Sequence, residues 1–252
     1  MIIYRKKFVR IAEAWYGEEP DARGVDIARG FQREEPAPGG ALCREFYTIL
    51  IDLTRDPDSL LSGLKRGCRY KIRRAEARDG VVYECANAAR RPDLLARFRE
   101  MYDEFAPRKN LPAIDPAWLS LMTATGGLFV SRAARATGDA LVWHTHFLSG
   151  GRATLLHSAS PPAAEAAGRN LIGRANRFHH WRDMLHFKSE GAILYDLGGW
   201  YQGDSDARRL GINRFKEDFG GDVVKNYITE RGLTVRGKLF LRARTLLLGD
   251  AI

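Results

Sequence analysis

Seven cations fall in the fourteen residues from Lys65 to Arg78: Lys65, Arg66, Arg69, Lys71, Arg73, Arg74 and Arg78. Only Glu76, and Asp79 just beyond, oppose them. Helical spacing puts Arg66, Arg69 and Arg73 on one face, away from a Leu64–Cys68–Ile72 stripe. Such a ridge can follow the phosphates of a polyanion, with binding that weakens steeply as salt rises. A solvated helix face has the same pattern. His144 and His146 alternate on one expected strand and so project to the same side, with His157 on the next strand. A neutral imidazole suits general-base work near pH 7, and hydrogen-bonded sheet histidines read the same way. His179, His180 and His186 fall on a helix, where a polar-face or helix-end role is expected. A zinc site would require a third and usually a fourth ligand at suitable geometry, which spacing does not show, and no metal is expected.

Positioning these groups requires one sizeable core, which 252 residues with 45 % apolar and 28 % charged side chains can build. Apolar runs such as Ile49–Ile51 and Leu246–Leu248 are far shorter than the roughly 20 residues that cross a bilayer, and Met1–Arg10 lacks the apolar core of a secretory leader. A soluble, cytoplasmic protein is the expectation. Cys43, Cys68 and Cys85 are odd in number and lack CxxC spacing, which argues against a disulfide framework or a zinc ribbon. A formal charge of +9 favours a polyanionic partner but is equally met in proteins that only stay soluble by it.

Gly and Pro punctuate residues 1–45 so often, at Gly17, Pro20, Gly24, Gly30, Pro36, Pro38, Gly39 and Gly40, that the segment reads as an arm. A strand is expected over Phe46–Leu53 and a helix from about Ser59 to Arg78. A short strand at Val81–Glu84 and two helices divided by Pro107–Pro112 come next. Leu128–Ala134, Ala140–Phe147 and Arg152–Ser158, divided by turn residues, form an antiparallel meander. A long helix from about Leu171 to Gly191, a strand Ile193–Leu197, a short helix at Ile212–Phe219, a strand Val223–Thr229 and a helix Val235–Leu248 complete the chain. The fold class expected is α/β with a mixed sheet flanked by helices, in one domain over 46–230 behind the arm, with the 231–252 helix packed on it.

This element order resembles the GNAT acyltransferases, a fold with a mixed central sheet whose strands splay. Three segments are more specific: Gly67–Gly80, Tyr195–Asp–Leu–Gly–Gly199 and Gly211–Ile–Asn–Arg–Phe–Lys–Glu–Asp–Phe–Gly–Gly221. Together they resemble the FemAB-like branch, across roughly Phe46 to Thr229. FemAB-like enzymes have two GNAT-like halves and move an amino acid from aminoacyl-tRNA to an amine of a peptidoglycan precursor. This chain is similar to the second half only, so the resemblance implies a reaction class, amide formation on an amine of a small molecule, peptide or envelope precursor, more than a substrate.

The resemblance implies that Lys216, with Phe215 as its packing neighbour, lies at the donor's reacting end. An ammonium there could neutralise the oxyanion of aminolysis or hold the terminal phosphate of tRNA. Tyr195–Gly199 then ends the strand that splays to form the donor cleft, where glycines permit close approach of a ligand. Asp196 could orient a substrate amine or cap the following turn. Lys216, Phe215, His144, His146 and Asp196 are thus the candidate catalytic residues, and Tyr195, Gly198, Gly199, Trp200 and His157 the candidate substrate-binding ones. Trp15–Tyr16 and Trp200–Tyr201 suit an aromatic acceptor pocket or buried packing equally.

Acyl-coenzyme A enzymes of this type cradle pyrophosphate on a Gly-rich helix start, written R/Q-x-x-G-x-G/A. Gly168–Arg–Asn–Leu–Ile–Gly–Arg–Ala175 matches only with one residue too many after Arg169. Aminoacyl-tRNA is therefore the first donor expected, bound by Lys65, Arg66, Arg69, Arg73, Arg74 and Arg169, with no tightly bound cofactor. Acyl-coenzyme A comes second, and a non-catalytic RNA-binding module third.

Overall fold

The computed structural model describes residues 1–19, 23–37, 41–163 and 165–248. Pro20, Pro38, Gly39, Gly40 and the end of the expected C-terminal segment, residues 249–252, lie outside the described residues. The chain is an α/β protein with ten strands and seven helices among those residues, and its sheet is mixed. It divides into two compact units, one of Met1–Thr48 with Val224–Ile252, the other Ile49–Val223.

In the first unit the expected arm is instead strands β1 (Ile2–Lys6), β2 (Val9–Trp15) and β3 (Ile27–Arg33), with β4 (Leu42–Asp52) starting inside it. The glycines and prolines begin only after β2, and β1 and β2 are joined by a turn at Lys7–Phe8 that needs neither. β1 pairs antiparallel with β2, β2 parallel with β3, and β3 antiparallel with β10 (Asp222–Gly232). Helix α7 (Val235–Leu248) packs on β2, where Leu241 joins Val9, Ile11 and Ile27 in a small core. Trp15 belongs to this packing, stacked on Phe31 at 5.0 Å.

In the second unit the strand order is β4-β9-β8-β7-β6-β5, built from β5 (Val82–Asn87), β6 (Leu128–Ala134), β7 (Ala140–Ser149), β8 (Arg152–Ala159) and β9 (Leu194–Gly199) with β4 from Ile49 on. The meander β6-β7-β8 is antiparallel, as its turn residues require, and β9 joins β8 in parallel. Helices α3 (Pro92–Arg108) and α4 (Pro116–Ala124) follow β5, each with Pro in its first turn. The 24-residue helix α5 (Ala166–Ser189) lies against β6 and β7 and against α2 (Arg66–Ala77). Its Ala175, Phe178, Met184 and Phe187 enter the main core with Ile49, Leu60, Cys68, Ile72 and Tyr195.

The expected helix Ser59–Arg78 is two helices, α1 (Pro57–Gly63) and α2 (Arg66–Ala77). Leu64 and Lys65 turn extended between them, and the Lys65 amide donates to the Asp218 carbonyl at 3.0 Å. The apolar period of four survives the break, which is why the sequence reads as continuous. Helix α6 (Ala207–Glu217) begins five residues before its apolar signal, because the Asp206 carboxylate caps it by accepting from the Arg209 amide at 3.0 Å. After α6 the chain turns at Gly221, whose φ of +83° and lack of a Cβ let it pass against the Leu50 carbonyl.

Candidate functional site

Two local features shape the boundary between β8 and β9. Their parallel pairing covers only Arg152↔Leu194, Ala153↔Tyr195 and Thr154↔Asp196. Directly beyond, β8 carries one residue more than β7: Thr145 faces His157 and His146 faces Leu155, so Leu156 is a bulge. A bulge bends and twists its strand, and this one lies just past the last β8–β9 pair, Thr154↔Asp196. Gly198 takes φ +74°, and a Cβ there would sit 3.3 Å from the Leu155 carbonyl, so only glycine allows this approach without strain.

Lys216 reaches this point from α6. Its Nζ donates to the carbonyls of Gly198, at 2.9 Å, and Gly199. The side chain is 9 % exposed, and burial pulls its pKa from 10.5 down to about 8, partly opposed by the Asp196 charge. Two of the three N–H donors are spent on the strand end, which leaves one for a substrate atom. Phe215 pins the helix: its ring lies 4.7 Å under the Arg177 guanidinium and edge-on to Phe219. Trp200 packs on the main core, and the Tyr201 backbone is held from both sides by the Asn213 amide at 2.7 and 3.1 Å.

Asp196 is fully committed within the protein. One oxygen accepts from the Gly198 amide at 2.8 Å, capping the turn, and the other takes Arg152 Nη2 at 2.6 Å and Thr154 Oγ1 at 3.1 Å. Of its two expected roles it fills the turn-capping one, and its contribution to the site is the shape of the strand end.

His144 and His146 do project to one side, but into the core, and neither ring is exposed. This burial removes both from contact with a substrate amine. His144 Nδ1 lies 2.7 Å from Asp183 Oδ2 and its Nε2 3.0 Å from Asn176 Oδ1. Tyr195 brings its hydroxyl to His146 Nε2 at 3.0 Å and His180 Nδ1 at 2.8 Å. His179 and His180, expected on a polar helix face, are buried in the same cluster, and Tyr83 donates to Asp183 at 2.8 Å. Among the described residues, His144, His179 and Asp183 are the group whose donor atoms converge enough for a metal, all within 4.8 Å. The His144 and His179 rings, however, stack at 3.8 Å and 2°, so their lone pairs run side by side instead of toward one point. The arrangement is a hydrogen-bonded cluster. His157 is separate: Thr145 Oγ1 lies 2.9 Å from its Nδ1, and Tyr102, Phe98 and Trp118 surround the ring.

Burial lowers the pKa of His146 to about 3 and of His157 to about 4, below the ordinary 6.5, and lowers His179 and His180 as well. The unfolded chain therefore takes up protons first, and stability is lost as pH falls below about 6.5. His146 alone should remove about 2 kcal/mol between pH 7 and pH 5. Melting temperature recorded from pH 7.5 to 4.5 should fall steeply across that range; a flat profile would show that the imidazoles are already protonated in the native state.

The cationic ridge is divided. Arg66 and Arg73 are exposed on α2, but Arg69 turns back to donate to the Ser62 carbonyl at 2.8 Å and to Leu64, closing the end of α1. Lys65 pairs with Glu217 at 3.3 Å, and Arg74 lies beside the Tyr70 hydroxyl. Arg169 lies apart from α2 and lines a cavity of about 360 Å³ with Arg108, Lys109, Phe105, Ser160 and Ile172. Among the described residues no carboxylate lines this cavity, which opens where β8 ends and α5 begins. Arg208, at the start of α6, donates to the Lys109 carbonyl at 3.2 Å. Arg208 and Lys216 are eight residues apart, roughly 12 Å along a helix, so α6 links the cationic cavity to the buried ammonium. Arg108 and Lys109 carry no motif and gave no sign in the sequence; Asp183 had one faint sign, its spacing of four from His179.

The chain shares its fold with several solved structures. FemX superimposes with a TM-score of 0.63 at 14 % identity, covering 88 % of this chain and 75 % of that one. The C-terminal domain of a protein named as a lysylphosphatidylglycerol synthetase, from Agrobacterium fabrum, gives 0.58 at 16 % identity, over 99 % and 86 % of the two chains. L-PGS from Bacillus licheniformis gives 0.55 at 11 %, over 96 % and 84 %. Neither the protein-family models nor the curated proteins yield a match.

Proposed function

We propose that the chain is an aminoacyltransferase that moves an aminoacyl group from aminoacyl-tRNA to an amine. The observation that carries this reading is the Lys216 ammonium, buried and bound to Gly198 and Gly199 where β8 and β9 part. The activated carbonyl of the donor enters the cleft with its oxygen toward the remaining Lys216 N–H. The neutral amine attacks, a C–N bond forms, and the oxyanion is stabilised by a cation already stripped of water. The C–O bond to the tRNA ribose then breaks. The nitrogen gives up a proton and the departing ribose oxygen gains one, a transfer that a lysine with a pKa of about 8 can relay. Arg108, Lys109 and Arg169 would hold a donor phosphate, and Arg66 and Arg73 would reach along the acceptor stem. The names of the superimposed proteins, FemX and two lysylphosphatidylglycerol synthetases, agree with this class.

The same cationic cavity would accept the phosphates of coenzyme A, which supports acyl-coenzyme A-dependent N-acylation as a second reading. Mass spectrometry of products formed with charged tRNAs, and separately with acyl-coenzyme A, separates the two. We expect an amide product only with charged tRNA, abolished by RNase, and Arg169→Glu to raise the donor KM by about tenfold with little change in melting temperature. Product from acyl-coenzyme A that survives RNase would transfer the assignment to the second reading.

A further inference from the structure

Helix α7 is apolar on two sides, and only one of them is covered. Inward, Leu241 is buried in the small core, Phe240 packs beside it, and Arg244 holds the buried Glu230. Outward, Val235, Leu239 and Leu246 are 76 %, 59 % and 86 % exposed. With Arg242 they recur at intervals of four, three and four, which is one face of a helix. Arg236 and Lys238 flank that face, Lys238 and Arg242 have no ion pair among the described residues, and the helix contains no acidic residue.

A second element adds the same chemistry. The turn between β1 and β2 presents Phe8, 56 % exposed, with Lys6, Lys7 and Arg10 exposed around it. Phe8 meets α7 edge-on at Phe240, 5.8 Å between centroids, and its carbonyl accepts from Arg236 at 3.5 Å. Turn and helix are therefore joined. Along α7 runs a cavity of about 670 Å³ walled by Leu42, Leu241 and Leu246 together with Lys238 and Arg242.

We infer that this face of α7, with the Phe8 turn, docks on a bilayer surface carrying anionic headgroups. Such a surface is the partner that rewards both halves of the pattern at once. Acyl chains take up the Val235, Leu239, Leu246 and Phe8 side chains, and the headgroups pair with the flanking cations. A nucleic acid would use the cations and gain nothing from the leucines. The inference concerns a different part of the chain from the transferase site and stands without it.

The test is co-sedimentation of the full chain with vesicles of phosphatidylglycerol and phosphatidylcholine, against phosphatidylcholine alone, at physiological salt. The chain should pellet with the anionic vesicles only. Leu239→Asp and Leu246→Asp should each weaken binding by about tenfold or more, and Lys238→Glu with Arg242→Glu likewise, all with unchanged melting temperature because these positions are exposed. No pelleting with anionic vesicles, equal pelleting with neutral ones, or binding untouched by Leu239→Asp would each overturn the proposal. So would sedimentation velocity showing a dimer that Leu239→Asp dissociates, since a second copy would then cover the face.

Discussion

Asp196→Ala should cost about 3–5 kcal/mol of folding stability, the usual penalty for removing one partner of a buried ion pair. Arg152 is 6 % exposed and directs both Nε and Nη2 at this carboxylate, and Thr154 and the Gly198 amide lose their acceptor with it. That loss is a large share of the 5–15 kcal/mol that holds an ordinary domain together. Replacing both partners, as Arg152→Met with Asp196→Leu, should recover much of it, since neither charge is then stranded. Urea denaturation measures both. A cost below about 1 kcal/mol for Asp196→Ala would mean the carboxylate is not needed to brace the strand end and is free to meet a substrate.

Lys216→Met should lower turnover by about tenfold or more while the fold persists, because it removes the cation and keeps the bulk. Turnover of the unaltered protein should decline as pH rises through about 8, where the buried ammonium loses its proton. Stability moves the other way. The folded pKa lies below the unfolded 10.5, so between pH 8 and 10.5 the unfolded chain binds more protons and this group's contribution to stability grows with pH. Because the attacking amine must itself be neutral, the comparison decides: a decline above pH 8 that persists in Lys216→Met would remove the ammonium's charge as its cause. Turnover unchanged in Lys216→Met would remove it from the reaction.

Where periodicity is set by one face meeting one core, the sequence was legible. The meander β6-β7-β8, helix α5 and helix α7 fall where alternation and helical spacing place them. The N-terminal strands were hidden because each is only five to seven residues long, too short for alternation to stand out, and β3 carries Gly30 within it. The break at Leu64–Lys65 was hidden because the apolar spacing runs through it. Lys216, Gly198 and Gly199 were singled out by their segment alone, yet their contact joins residues 17 and 18 apart. The histidines misled because imidazole suits water and core alike. What decided their place was Asp183, 39 residues from His144, and no local pattern reports such a partner.

The narrow join between β8 and β9 has a mechanical meaning. Only three residue pairs cross it, so it is a natural line for the second unit's sheet to breathe along. Any slip along it carries Gly198 and Gly199 with β9, so the Lys216 ammonium, tied to both carbonyls, acts as a clasp on the loose end.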